Sequence, residues 1–176
     1  MSRIALTAVP ALVIAAALLT GCSSDPTPEP SPAPTGPALT LDGDDLGVTE
    51  IGADFPAAVE AVTAALGAPT AEPAEDVACV ASEEEVAWGD LRLASSGGEL
   101  AGWFNRREDL ASSEGVAVGS TVADVLAAYG DAVALQADTT DARETFAADG
   151  GLSGGLTSEA PDGTVTYLYN GVCSPP

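Results

Sequence analysis

Two stretches of the chain share one arrangement of apolar and polar positions. In residues 46–69, LGVTEIGADFPAAVEAVTAALGAP, the apolar residues Phe55, Val59, Val62 and Leu66 recur at spacings of three and four. That spacing lines one face of a helix. In residues 114–132, EGVAVGSTVADVLAAYGDA, Val122, Val125, Leu126 and Tyr129 do the same. The ends are marked as well. Asp54 stands where a helix N-cap belongs, Pro56 falls in the tolerated first turn, and Gly67 with Pro69 closes the stretch. Thr121 followed by Asp124 reads as a capping-box start, and Gly130 closes the second helix. Each helix has one apolar side that needs a sheet to cover it.

After each helix the period falls to two. Leu91 and Leu93 flank Arg92, Gly97-Gly98 makes a tight turn, and residues 100–104 return. Residues 132–136, 144–147 and 164–169 supply further strands, the last behind a Pro161-Asp162-Gly163 turn. The order helix, strands, helix, strands predicts an α+β domain built of two helix-plus-antiparallel-strand repeats, rather than alternating parallel units.

The N-terminal end has a different pattern. Arg3 precedes an apolar run over residues 4–19 that is broken only by Thr7 and Pro10. The run is short for a membrane span and carries a proline, and it has the layout of a secretory signal. Its last residues, Leu19-Thr20-Gly21-Cys22, resemble the bacterial lipobox. That resemblance implies a diacylglycerol on the Cys22 thiol and cleavage in front of it. Two acyl chains hold a protein at a bilayer stably where one does so only marginally. Residues 22–38, CSSDPTPEPSPAPTGPA, favour extended polyproline II and read as a semi-rigid tether. The chain therefore divides into a signal peptide (1–21), a Pro/Ser/Thr-rich linker (22–38) and a globular domain (39–176). It is expected on the extracytoplasmic face of the cell membrane, held there through Cys22.

Charge narrows the partners. The sequence has 27 acidic residues against five Lys and Arg, no histidine, and a net charge of −22. Nucleic acid is excluded, because binding it needs basic side chains that displace counterions. Anionic headgroups repel the domain, so the lipid alone serves as the membrane contact. The two cysteines beyond the anchor, Cys79 and Cys173, are expected to form a disulfide, as an even pair outside the cytoplasm usually does.

A second resemblance rests on EGVAVGSTVADVLAAYG. It is similar to a motif of secreted actinobacterial lipoproteins, and to the helix-on-sheet repeat of β-lactamase inhibitory protein. The matching positions are Gly119, Ser120, Thr121, Asp124 and Val125. The first stretch departs from it, with Gly52-Ala53-Asp54 in place of Gly-Ser-Thr. The resemblance implies a helix packed on an antiparallel sheet, and it brings no catalytic residue.

The motifs that might carry chemistry are weak. GLSGG, residues 151–155, has the G-x-S-x-G form of serine hydrolases, but the chain has no histidine to serve as base and no helix pattern follows. Ser153 is read as part of a glycine-rich turn, and no catalytic residue is assigned. Asp42, Asp44 and Asp45 in LDGDD offer oxygen ligands for calcium without the spacing of an EF-hand, and read better as a solvated acidic turn. A carboxylate-based cell-envelope hydrolase and a calcium-dependent module are the alternatives to the favoured reading, a binding or interaction module without catalysis or cofactor. Its partner would be a protein or a cell-envelope ligand. The expected contact surface is the hairpin carrying Trp88, Trp103, Arg106 and Arg107, where aromatic and basic residues gather in an acidic chain. Both tryptophans equally fit the hairpin core.

Overall fold

The computed structural model describes residues 38–70, 78–79, 82–138 and 143–174. The expected signal peptide and nearly all of the expected linker, Cys22 included, lie outside them. Among the described residues the fold is α+β, with two α-helices and a seven-stranded antiparallel sheet. Helix α1 (Phe55–Leu66) precedes the meander β2 (Glu84–Trp88), β3 (Leu91–Ser96) and β4 (Glu99–Asn105). Helix α2 (Val122–Tyr129) precedes the meander β5 (Val133–Asp138), β6 (Arg143–Ala148), β7 (Ser153–Leu156) and β8 (Val165–Gly171). Pairing of β4 with β8 joins the meanders in the order β2-β3-β4-β8-β7-β6-β5. Strands β1 (Ala78–Cys79) and β9 (Cys173–Ser174) form a separate two-stranded ribbon.

The helix ends are made by the residues that predicted them. Asp54 accepts a hydrogen bond from Ala57 N–H at 3.1 Å, and Gly67 N–H closes α1 onto Thr63 O at 2.8 Å. In α2 the capping box is complete: Asp124 N–H donates to Thr121 Oγ1 (3.1 Å) while Thr121 N–H donates to Asp124 Oδ2 (2.9 Å). Hydrogen bonds from the Thr121 side chain and backbone hold the Asp124 carboxyl below its ordinary range. A carboxyl depressed in the folded state stabilises above its unfolded pKa, and that contribution is lost as pH falls through the folded value. Thr121→Ala is therefore expected to lower the melting temperature more at pH 7 than at pH 2, as a pair of calorimetric scans would register.

The apolar stripe of α2 is used less fully than its period suggests. Val122 and Val125 are buried and Tyr129 is half-buried, but Leu126 is 41% exposed. This short helix has its core contacts on the Val122–Val125 side, and Leu126 is left at the rim.

Strand alternation sorts the sheet residues onto two faces. Val86, Trp88, Leu91, Leu93, Trp103, Phe146 and Leu168 face the helices, where they pack with Phe55, Ala58, Val62, Val122 and Val125. Leu41 and Leu46, from the segment ahead of α1, belong to the same core. Trp88 and Trp103 are therefore core residues, buried to 2% and 0% exposure. The Trp88 indole N–H donates to Gly67 O at the end of α1 (3.0 Å), and that of Trp103 to Gly43 O (2.7 Å). Neither ring is available as a surface anchor, which corrects half of the expected contact surface.

The GLSGG segment is also corrected. Residues 153–156 form strand β7 between β6 and β8, and of the segment only Gly151 belongs to a turn, the 149–151 turn that joins β6 to β7. Glycine disfavours strands because it has no side chain to pack. Here neighbouring rings fill that gap on both faces. A Cβ at Gly154 would overlap the Phe146 ring on the helix side, and one at Gly155 would overlap the Tyr167 ring on the other. Ser153, paired with Ala147 and Tyr169, is an ordinary strand residue and not an exposed nucleophile on a turn.

Candidate functional site

The face turned away from the helices carries the chemistry that remains. Because neighbours in a strand point to opposite faces, burying Trp103 sends Phe104 to this side, and burying Leu168 sends Tyr167 and Tyr169 there. Phe104 and Tyr167 stack with ring centroids 5.4 Å apart and planes at 26°. Tyr167 and Tyr169 follow at 6.0 Å and 45°. Arg106 extends the row, its guanidinium carbon 5.2 Å from the centroid of the Phe104 ring. Phe104 is buried, while Tyr167, Tyr169 and Arg106 are half-exposed. Beyond the tyrosines the face is lined with small residues, Ser153 and Gly155 on β7 and Thr145 and Ala147 on β6.

This row rests on a firm base. Cys79 and Cys173 form the expected disulfide, and with Ala94 and Phe104 they make a second buried cluster beneath the aromatic residues. Arg92, only 5% exposed, is paired with Glu85 at 2.9 Å on the same face. Gly102 lies where β4 approaches the ribbon closely: a Cβ there would sit 2.7 Å from Asn170 O and Val172 N.

The predicted residues are thus divided between the faces. Arg106 joins the aromatic row, whereas Arg107 is engaged elsewhere. Its Nε and Nη2 donate to Asp109 (2.9 and 2.6 Å) and its Nη1 to Trp88 O (3.1 Å). The hydrogen bond from Arg107 holds the Asp109 carboxyl below its ordinary range, and Asp109 in turn raises Arg107. An exposed pair of this kind contributes little to stability. Phe104, Tyr167 and Tyr169 escaped the sequence reading, although the i, i+2 spacing of the two tyrosines around Leu168 carries the signal.

The acidic turn is a clip. Asp42 and Asp45 bridge across Gly43 and Asp44. The Asp42 carboxylate accepts from Ser113 N–H (2.7 Å) and Oγ–H (2.9 Å), that of Asp44 from Asn170 Nδ2 (2.8 Å), and that of Asp45 from Gly47 N–H (2.6 Å). The carboxylates of Asp42 and Asp44 tie this segment to distant parts of the fold, Ser113 and Asn170, while that of Asp45 closes the turn locally on Gly47. Among the described residues, no group of three or more His, Cys, Asp or Glu side chains is arranged to hold a metal.

Stacked rings with half-exposed edges, two phenols and a guanidinium can hold flat or extended ligands by stacking and hydrogen bonding. No family model and no curated protein matches the chain. Among solved structures it is similar to the crystal structure of the uncharacterized protein yfeY from Escherichia coli. The TM-score is 0.43 at 10% identity, covering 77% of this chain and 95% of that one.

Proposed function

We propose that this protein is a lipid-anchored binding module on the extracytoplasmic face of the cell membrane, without catalysis of its own. The observation that carries the binding reading is the row on the sheet face opposite the helices, where half-exposed Tyr167, Tyr169 and Arg106 gather around the buried Phe104 ring. Aromatic and arginine side chains concentrate binding energy at interfaces. The Leu19-Thr20-Gly21-Cys22 stretch supports the anchor, and the Cys79–Cys173 disulfide fits an oxidising compartment. We read the two helix-plus-meander blocks as repeats, with the second closer to the helix-on-sheet motif of the secreted lipoproteins.

The two parts of the proposal are tested separately. Cys22→Ser is expected to abolish palmitate labelling and to move the protein from the particulate to the soluble fraction after lysis. Unchanged sedimentation with the membranes would rule out the anchor. Tyr169→Ala with Arg106→Ala is expected to leave the melting temperature within a few degrees and to remove the partners captured by cross-linking in cells. An unchanged set of captured partners would retire this face as the binding surface.

A further inference from the structure

The two edges of the sheet differ. On β2, Thr70 donates its N–H and Oγ1–H to Ala87 O (2.8 and 3.1 Å), and Glu84 and Glu85 add charge. Among the described residues no backbone hydrogen bond from another segment caps the outer strand β5, and its one charge, Asp138, stands at its last position. Residues 133–137 carry no charge and no proline in a chain with 27 acids. The pairing of β5 with β6 runs from Val133 to Asp138 without a register shift. Regular, uncharged edges of this kind are templates for another strand, and proteins otherwise blunt them with charge, proline or bulges. Asp149 N–H donates to Ala132 O at 2.8 Å, which sets the phase of the ladder. The N–H and C=O groups of Ala134 and Gln136 accordingly face β6, and those of Val133, Leu135 and Ala137 face outward. Among the described residues no strand pairs with that outer side.

We propose that β5 pairs antiparallel with β5 of a second copy of this chain, about a two-fold axis through Leu135. The choice of occupant rests on self-complementarity, which an isologous contact requires. In this register Val133 meets Ala137 of the second copy, Ala134 meets Gln136, and Ala132 meets Asp138. Like charges directly opposite each other destabilise strand pairs, and here no acid faces an acid although each copy carries −22. The outward N–H and C=O groups all gain partners. The half-buried Leu135 meets its own copy, which continues the apolar layer across the contact.

Sedimentation equilibrium of the full chain in detergent is expected to show a dimer that tightens as salt is added, because ions screen the repulsion between two acidic copies. Ala137→Pro removes an outward N–H on an edge strand, where proline is tolerated. It is expected to weaken the dimer by about tenfold or more with unchanged circular dichroism. Leu135→Cys is expected to give an oxidised cross-linked dimer, whereas Ser96→Cys, at an exposed turn, gives only the wild-type background. If the proline variant unfolds, the cross-link decides alone. A wild-type chain that stays monomeric at every salt and protein concentration overturns the proposal. So does a folded Ala137→Pro variant that dimerises like wild type, or a Leu135→Cys chain that cross-links no more than Ser96→Cys. A monomer whose β5 amides become protected from exchange only with another envelope protein also overturns it, and assigns the edge to that protein.

Discussion

Trp103→Ala is expected to remove most of the stability of the domain. Domains of this size are stable by about 5–15 kcal/mol, and truncating a buried tryptophan lowers that by about 3–5 kcal/mol. Trp103 is at the severe end for two reasons. It lies on a central strand, opposite Leu93 on one neighbour and Asn170 on the other, so the space it vacates lies in the middle of the core. Its indole also donates the 2.7 Å bond to Gly43 O, and removing the donor leaves that carbonyl buried and unpaired, which costs about 1–3 kcal/mol. Trp103→Phe keeps most of the volume and loses only the bond, so its deficit should be the smaller. Urea unfolding followed by circular dichroism measures both. A Trp103→Ala midpoint close to that of wild type would mean that the acidic turn and the sheet centre are not held together by this side chain.

Opening the disulfide is the second large effect. Cys79 and Cys173 are 94 residues apart. On the chain-entropy account, closing a loop of about 100 residues stabilises by about 4.7 kcal/mol, and measured values usually fall at about 2–4 kcal/mol. Replacing both cysteines with alanine should lower the urea midpoint accordingly. It should also steepen the transition, because the uncrosslinked denatured chain exposes more surface. Reductant should do the same to wild type. The aromatic face should loosen as well, since the cystine shares a buried cluster with Phe104, on which Tyr167 stacks. Identical midpoints with and without reductant would contradict this account.

Most of the helices was legible in advance because their ends are written locally: Asp54, Thr121 and Asp124 make caps, and Gly67 and Gly130 stop the helices. The Gly97-Gly98 hairpin was legible for the same reason. Two features depended on information from elsewhere in the chain. Strand β7 reads as a turn because Gly154 and Gly155 have no side chain, and the rings of Phe146 and Tyr167 that make it a strand come from other strands. The tryptophans looked like contact residues because local charge and aromaticity say nothing about which face of a strand lies inside. Placing Trp103 in the core reverses the assignment for its neighbour Phe104 and brings Arg106 to a different aromatic group. The pairing of Cys79 with Cys173 followed from compartment and count, whereas its place beneath the tyrosines did not.

The ring of Tyr167 over Gly155 has an evolutionary consequence. One residue shields a bare stretch of backbone and also stands in the row proposed as a binding surface, so on that proposal selection for either task constrains the other. Change in specificity on this face is therefore channelled toward Tyr169 and Arg106, which can vary without uncovering β7.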